Sequence, residues 1–273
     1  MTVKFSLKGS QASFLINSEK LQTMLSKCFY ITFVMTLFLL LGCTQPTNNS
    51  LTVFAASSLT EAFTELKLDF ENLHPQSKVL LQLAGSQILR SQIEHGAEVD
   101  VFASANLSHI HSLKLESKSS IFALNQLALI VPPENPSDIQ SILELEKAQR
   151  LIIGTPQTPI GEYTKSLFDK LEKDLGSSYV TSISSKIVSM EHNVRLIRSK
   201  VELGEADAGI VYTTEALSAA AQMIEIPKAY QIDVAYHITT VEPLPDKLSL
   251  KWLSLVSSKD GQDVLLKHGF RFK

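Results

Sequence analysis

The feature that most constrains the fold is a regular alternation of short strand-like runs with longer stretches of helical spacing, beginning at residue 51. Residues 51–55 form a β-rich apolar run, and residues 59–73 then place apolar side chains at the three- and four-residue intervals of one helix face. The alternation continues to a last predicted helix over 247–257. Strands separated by helical stretches of about 10–15 residues are typical of βαβ units. The sequence therefore predicts an α/β fold with a mostly parallel sheet.

The predicted elements cover most of the chain after residue 50. The predicted strands are 51–55, 79–83, 100–103, 126–131, 151–154 and 208–212. The predicted helices are 59–73, 87–95, 161–175, 194–203 and 247–257. Prolines at 132, 133 and 136 mark one break in the pattern, and prolines at 243 and 245 mark another.

At four places a strand ends in small or hydroxyl-bearing residues and a helix begins at once. These junctions are 55–58, 84–86, 158–161 and 192–194. Such residues cap helices, and the first helical turn leaves backbone N–H groups free at the positive end of the helix dipole. Because the carboxyl ends of parallel strands lie at one edge of a sheet, several helix starts would converge on one cleft. The pattern fits an anion site without lysine or arginine, and it equally fits ordinary helix capping.

The amino-terminal segment has the organisation of a secretory signal. An apolar run over 28–41 follows Lys27, and Gly42 and Cys43 end it before a polar stretch. The run is shorter than the roughly 20 residues that a membrane-spanning helix requires, which is the competing interpretation. The ending Leu-Leu-Gly-Cys resembles the lipobox of bacterial lipoproteins, which implies cleavage before Cys43 and lipidation of its thiol. We therefore predict a signal peptide over 1–42 and a flexible tether over 43–50, with translation starting at Met1 or at Met24.

The charge of the mature chain excludes one class of partner. Residues 1–42 carry four lysines and one glutamate, a net charge of +3, so the remaining chain carries −6 against −3 for the whole sequence. Nucleic-acid binding depends on a basic surface, so it is not expected here. The second cysteine, Cys28, lies inside the predicted signal, and the mature chain then has no internal disulfide.

Several motifs together resemble those of the periplasmic molybdate-binding proteins of ABC transporters. In chain order they are TVFAASSLTEAF (52–63), AGS (84–86), QIEHGAEVDVFASA (92–105), TPIGEY (158–163), NVR (193–195), GEADAGIVY (204–212) and HGF (268–270). The ordered set covers about residues 51–273. The resemblance implies a two-lobed, type II-like periplasmic binding protein with its ligand in the cleft. One lobe would comprise 51–127 and 236–273, and the second 128–235.

The resemblance also implies the residues of the site. Ser58 and Ser86 would each offer a hydroxyl and a backbone N–H from one lobe. Ile160 and Val194 would offer backbone N–H groups and Tyr212 its hydroxyl from the other. Molybdenum would be held as its oxyanion, without direct protein–metal ligands and without a cofactor.

The implied function is capture of molybdate, or of the similarly sized tungstate, by a membrane-anchored monomeric lipoprotein outside the cytoplasmic membrane. The protein would then deliver the anion to the membrane permease of an ABC importer. A receptor for another tetrahedral oxyanion, such as sulfate or phosphate, is the main alternative. Phosphate keeps a proton at neutral pH, and none of the five proposed donors is a carboxylate that would accept it.

Other chemistry-bearing residues have simpler interpretations. A serine hydrolase is disfavoured because the chain has neither a Gly-x-Ser-x-Gly elbow nor a Ser-x-x-Lys pair. His109 and His111 are expected at the surface rather than as metal ligands, because no matching ligand set accompanies them. Arg195 is expected on a helix face or in lobe packing, and Asp100 is expected to organise its loop.

Overall fold

The computed structural model describes residues 49–242 and 245–272. The predicted signal peptide and its lipobox, including Cys43, lie outside the described residues. In the first half the elements are β1 (Ser50–Ala56), a 3₁₀ turn (Ser57–Leu59), α1 (Thr60–Leu73), β2 (Lys78–Ala84), α2 (Ser86–Glu94), β3 (Val101–Ser104), α3 (Ser108–Ser112), β4 (Ser120–Asn125) and β5 (Leu127–Val131).

The second half begins with another short 3₁₀ segment and ends in two helices. Its elements are the 3₁₀ segment (Ile142–Lys147), β6 (Leu151–Gly154), α4 (Pro159–Leu175), α5 (Ser177–Ser185), β7 (Ile187–Glu191), α6 (Val194–Glu202), β8 (Ala208–Tyr212), α7 (Thr213–Leu217), β9 (Gln222–Glu225), β10 (Val234–Thr240), α8 (Lys247–Ser257) and α9 (Lys259–Lys267). Within the described ranges, no helix combines the length and the apolarity needed to cross a membrane.

The described strands form two five-stranded sheets. The first has the order β2-β1-β3-β10-β4, and the second has the order β7-β6-β8-β5-β9. In each sheet two neighbouring pairs are parallel and two are antiparallel. The expectation of a mostly parallel sheet is therefore wrong, because β5 and β10 each enter a sheet antiparallel to the neighbours on both sides.

We call the first sheet with its helices lobe I, and the second sheet with its helices lobe II. The chain passes from lobe I to lobe II between β4 and β5, at Gln126, and returns between β9 and β10. Strand β5 begins at Leu127, which the predicted division left in the first lobe, and β10 begins at Val234 rather than at 236. Strand β1 begins at Ser50, the last residue of the predicted tether.

Helix α1 shows why the helices could be predicted from the spacing of apolar residues in the sequence. It buries Ala62, Phe63, Leu66 and Phe70, which recur at three- and four-residue intervals along one face. The rings of Phe63 and Phe70 each lie 5.6 Å from the ring of Trp252 in α8, at steep interplanar angles. This aromatic cluster fixes the start of α1, and hence the turn over 57–59, against the body of lobe I.

Candidate functional site

One pocket opens where the strand-to-helix junctions of the two lobes face each other. Its lining residues are Ala56, Ser57, Ser58, Gly85, Ser86, Gln87, Ala105, Thr158, Pro159, Ile160, Asn193, Val194 and Tyr212. All five residues named from the sequence are among them. Of the described residues that line this pocket, none carries a charged side chain.

The lobe I side of the pocket is built by two serines at helix starts. Ser58 lies in the turn between β1 and α1, and Ser86 is the first residue of α2. The Oγ of Ser86 accepts a hydrogen bond from the backbone N–H of Ala105 at 3.2 Å. The Oγ of Ser58 lies 2.7 Å from the hydroxyl of Tyr236. Both hydroxyls are buried, and the bond to Ala105 uses only the acceptor function of Ser86.

The lobe II side is built by two capped helix starts. Thr158 caps α4 by accepting from the N–H of Gly161 at 3.0 Å, and Asn193 caps α6 by accepting from the N–H of Leu196 at 3.1 Å. Each cap uses an N–H of the third helical residue. The N–H groups of Ile160 and Val194 stand earlier in their helices, where no intrahelical acceptor exists. Both residues line the pocket, so their N–H groups lie beside it at the positive ends of two helix dipoles.

Tyr212 closes the lobe II side. It is the last residue of β8, its side chain is 2% exposed, and its hydroxyl has no hydrogen-bond partner among the described residues. Its ring packs edge-on against Tyr163 and Tyr236, with centroids 6.4 and 6.0 Å away. Burial raises the pKa of Tyr212 well above its usual value, so the phenol stays protonated. A buried hydroxyl without a partner costs about 1–3 kcal/mol, which a bound acceptor would offset.

The lobes meet closely beside the pocket at Gly85. The amide Nε2 of Gln87 donates to the carbonyl oxygen of His192 at 2.7 Å, and the Oε1 of Gln87 is buried with no partner in the described ranges. A Cβ placed on Gly85 would lie 2.3 Å from that same carbonyl oxygen. Glycine is therefore required at 85 for this approach of the two lobes, not for its backbone angles, which are ordinary at φ −60° and ψ 136°.

Two further contacts between the lobes involve charged side chains. Asn106 of lobe I donates from Nδ2 to Oε2 of Glu162 in α4 at 2.7 Å. Arg195 of α6 donates from Nη1 to Oε1 of Glu61 in α1 at 2.6 Å. The sequence placed Arg195 on a helix face or in lobe packing, and the structure places it in this interlobe contact. The partners Glu61 and Glu162 were missed, because their pairing spans more than fifty residues.

The remaining candidates lie elsewhere. Asp100 accepts from the N–H of Thr52 at 2.7 Å, which fixes its loop on β1 as expected. His111 is exposed, but His109 is 3% exposed, so the expectation of two surface histidines is wrong for His109. Burial, followed by the nearby charge of Arg90, lowers the pKa of His109 to about 4. No cluster of three or more potential metal-ligating side chains occurs in the part of the chain that the structure describes.

Comparisons with known proteins agree with this architecture. Residues 51–271 match the family described as bacterial extracellular solute-binding protein. The molybdate-binding protein ModA of Mycobacterium bovis is 31% identical over 229 residues, which cover 81% of this chain and 84% of that protein. These matches confirm the resemblance on which the site residues were named.

Two solved structures show the fold. The periplasmic molybdate-binding protein of Azotobacter vinelandii has a TM-score of 0.70 at 19% identity, over 82% of this chain and 99% of that chain. The sulfate-binding protein SubI of Mycobacterium tuberculosis has a TM-score of 0.72 at 14% identity, over 81% and 86% of the two chains. The predicted two-lobed α/β architecture of periplasmic binding proteins is thus confirmed. The chain belongs to the family of bacterial extracellular solute-binding proteins.

Proposed function

We propose that this protein captures molybdate, or tungstate, in the pocket between its lobes and delivers the anion to the permease of an ABC importer. The observation that carries the proposal is the buried hydroxyl of Tyr212, which has no partner among the described residues, at a pocket where none of the described lining residues is charged. Such a pocket suits an anion that carries no proton and accepts hydrogen bonds on every oxygen. Similarity to the molybdate-binding protein of Mycobacterium bovis supports the choice of oxyanion.

The proposed ligands are the five residues named above, and each acts as a donor. Ser58, Ser86 and Tyr212 contribute hydroxyl hydrogens, and Ile160 and Val194 contribute backbone N–H groups. What supports these roles is their common position at the pocket and the positive ends of the helices that begin there. A hydrogen bond to a charged group contributes roughly 1.5–3 kcal/mol, so several together offset much of the cost of desolvating a dianion.

Discrimination against phosphate follows from the same chemistry. Hydrogen phosphate presents a donor of its own, which needs an acceptor at the site, and the described residues that line the pocket include no carboxylate. Sulfate has the charge pattern of molybdate but shorter bonds, so size is the physical basis for excluding it. In this proposal the protein is a carrier and catalyses no reaction.

The cellular location of the protein follows in part from its family. Membership of an extracellular solute-binding family implies that the protein works outside the cytoplasmic membrane. We propose further that the lipidated thiol of Cys43 anchors it there and that it acts as a monomer. The segment between Cys43 and β1 would then serve as the tether.

A thermal shift series tests the ligand. The purified protein is heated with equal concentrations of molybdate, tungstate, sulfate or phosphate. A ligand that binds only the folded form at a thousandfold excess over its Kd stabilises by about 4 kcal/mol. We expect a clear rise in Tm with molybdate and tungstate, and almost none with the other two. A larger rise with sulfate or phosphate would move the assignment to that anion.

A further inference from the structure

The hydroxyl of Ser58 is bonded to a residue that has no place among the proposed ligands. Tyr236, in β10, lies 178 positions away along the chain, yet its hydroxyl is 2.7 Å from Ser58 Oγ, and both side chains are buried. Either oxygen can be the donor in this pair. The direction matters, because a serine that donates to Tyr236 has no hydrogen left for an anion in the pocket.

The surroundings of the two hydroxyls settle the direction. The Tyr236 side chain is fully buried, and among the described residues Ser58 Oγ is the acceptor within hydrogen-bond distance of its hydroxyl. If Ser58 were the donor, the hydrogen of the Tyr236 hydroxyl would be buried without an acceptor, which is unfavourable. Ser58 lines the pocket, where a bound anion can accept its hydrogen. Tyr236 is therefore the donor of this pair.

The ring of Tyr236 cannot move away from this arrangement. It is fully buried and packs edge-on against Phe122, Tyr212 and Phe270, with ring centroids 6.3, 6.0 and 5.2 Å away. Burial raises the pKa of Tyr236, against the opposing effect of its hydrogen bonds, so its hydroxyl keeps its hydrogen at physiological pH. The Tyr236 hydroxyl therefore has one hydrogen to give, and Ser58 Oγ is the acceptor beside it.

We propose that Tyr236 is a positioning residue for the anion site, through a directional hydrogen bond from its hydroxyl to Ser58. This bond leaves the hydrogen of Ser58 as the group presented to the pocket. The inference rests on the proposed function, because it assigns the orientation of one proposed ligand.

A double-mutant cycle tests the hydrogen bond from Tyr236 to Ser58. Molybdate is titrated calorimetrically into the unaltered protein, Tyr236→Phe, Ser58→Ala and the double variant. Tyr236→Phe is expected to weaken binding by roughly two- to tenfold, the size of one neutral hydrogen bond. In the Ser58→Ala background the same change is expected to have almost no effect. A purely structural role for Tyr236 would weaken binding by the same factor in both backgrounds.

Two further variants provide a control and a second cycle for this test. Tyr179→Phe is the matched control, because the Tyr179 hydroxyl donates to the carbonyl oxygen of Ile142 within lobe II, and this variant should bind like the unaltered protein. Tyr236→3-fluorotyrosine keeps the ring and makes its hydroxyl a stronger donor, so it should change the affinity, and that change should likewise vanish in the Ser58→Ala background. If Tyr236→Phe fails to fold, this second cycle carries the test.

The outcomes separate the two claims. If the effects vanish in the Ser58→Ala background, the proposed role of Tyr236 is supported. Equal losses of affinity in both backgrounds, or an unchanged affinity in Tyr236→Phe, would overturn that role and leave the proposed function intact. Failure of the unaltered protein to bind molybdate or tungstate at all would overturn both proposals.

Discussion

The guanidinium of Arg195 in α6 lies 2.6 Å from the carboxylate of Glu61 in α1, and this ion pair joins the helix that presents Val194 to the helix that follows Ser58. The two residues are 134 positions apart and belong to different lobes. Burial alone would raise the pKa of Glu61, but the hydrogen bond and charge of Arg195 outweigh it and lower the pKa overall. The pair therefore favours the approach of the lobes as long as Glu61 is ionised.

Glu61→Gln is expected to weaken molybdate binding about two- to fivefold, mainly through faster dissociation. The modest size reflects partial exposure, since the two side chains are 30% and 34% exposed and solvent screens their attraction. Stopped-flow or surface-based kinetics would measure the dissociation rate. Asp169→Asn, which breaks the exposed pair of Lys165 and Asp169 within α4, is the control and should leave the rate unchanged. Equal rates for all three proteins would show that the pair does not hold the lobes together.

Gly85→Ala should block the approach of the lobes without unfolding either one. Its backbone angles suit alanine, and the new Cβ would collide with the carbonyl oxygen of His192 in lobe II. Overpacking of this kind costs about 1–3 kcal/mol, which corresponds to a loss of roughly five- to 160-fold in molybdate affinity. Calorimetric titration measures the affinity, and the Tm without ligand should stay near that of the unaltered protein.

Gly209→Ala provides the contrast for that experiment. A Cβ at Gly209 would lie 2.8 Å from Ile197 and 2.9 Å from Val201, both within lobe II. This variant should lower the Tm of the ligand-free protein, whereas Gly85→Ala should not. If Gly85→Ala instead lowers the Tm and binds molybdate normally, the contact between Gly85 and His192 is not a feature of the bound form.

The positions that line the pocket could be predicted from the sequence where helix-start residues lie close to them along the chain. Ser86, Ile160 and Val194 stand at strand-to-helix junctions, where small residues, a Thr-Pro step and an Asn mark helix starts within three or four positions. The motif resemblance then supplied the five proposed ligands, which stay a prediction. The pairings of Ser58 with Tyr236 and of Glu61 with Arg195 have no local signal, because they arise only when distant strands and helices come together.

The elements of the fold were likewise predicted where their signals are local and missed where they depend on long-range pairing. Helix α1 was predicted because one face repeats apolar residues over four turns, and α8 was predicted with the bounds that the structure has. Strand β10 was anticipated only as the predicted return of the chain to the first lobe at 236, and its place beside β3 and β4 depends on long-range pairing. Strand β7 was missed because alternate residues of this short edge strand are exposed, so it lacks a continuous apolar run.

Stability should fall on acidification through the titration of His109. The pKa of His109 is about 4 in the folded chain against an ordinary value of 6.5, chiefly because of burial. Between these values the unfolded chain binds a proton that the folded chain does not, so stability is lost as the pH falls from about 6.5 to 4. The Tm of the unaltered protein should therefore drop more steeply over this range than that of His109→Gln. Parallel curves would show that His109 does not titrate differently on folding.

Membrane anchoring depends on Cys43 in this account. In a bacterial host that processes lipoproteins, the full-length protein should incorporate labelled fatty acid and sediment with membranes. Cys43→Ser removes the thiol that carries the lipid, and both properties should be lost. Serine in place of Cys28, inside the predicted signal, is the control and should leave labelling intact. Continued labelling of Cys43→Ser would contradict the lipoprotein assignment.

The most direct test of the central claim is calorimetric titration of molybdate into variants of the five proposed ligands. Ser58→Ala, Ser86→Ala and Tyr212→Phe each remove a hydroxyl donor to a dianion, with an expected loss of about 1.5–3 kcal/mol, or one to two decades in affinity. Ile160→Ala and Val194→Ala retain their backbone N–H groups and should bind nearly as well as the unaltered protein. Hydroxyl variants of unchanged affinity, together with loss of binding in Ile160→Ala or Val194→Ala, would contradict the proposed site.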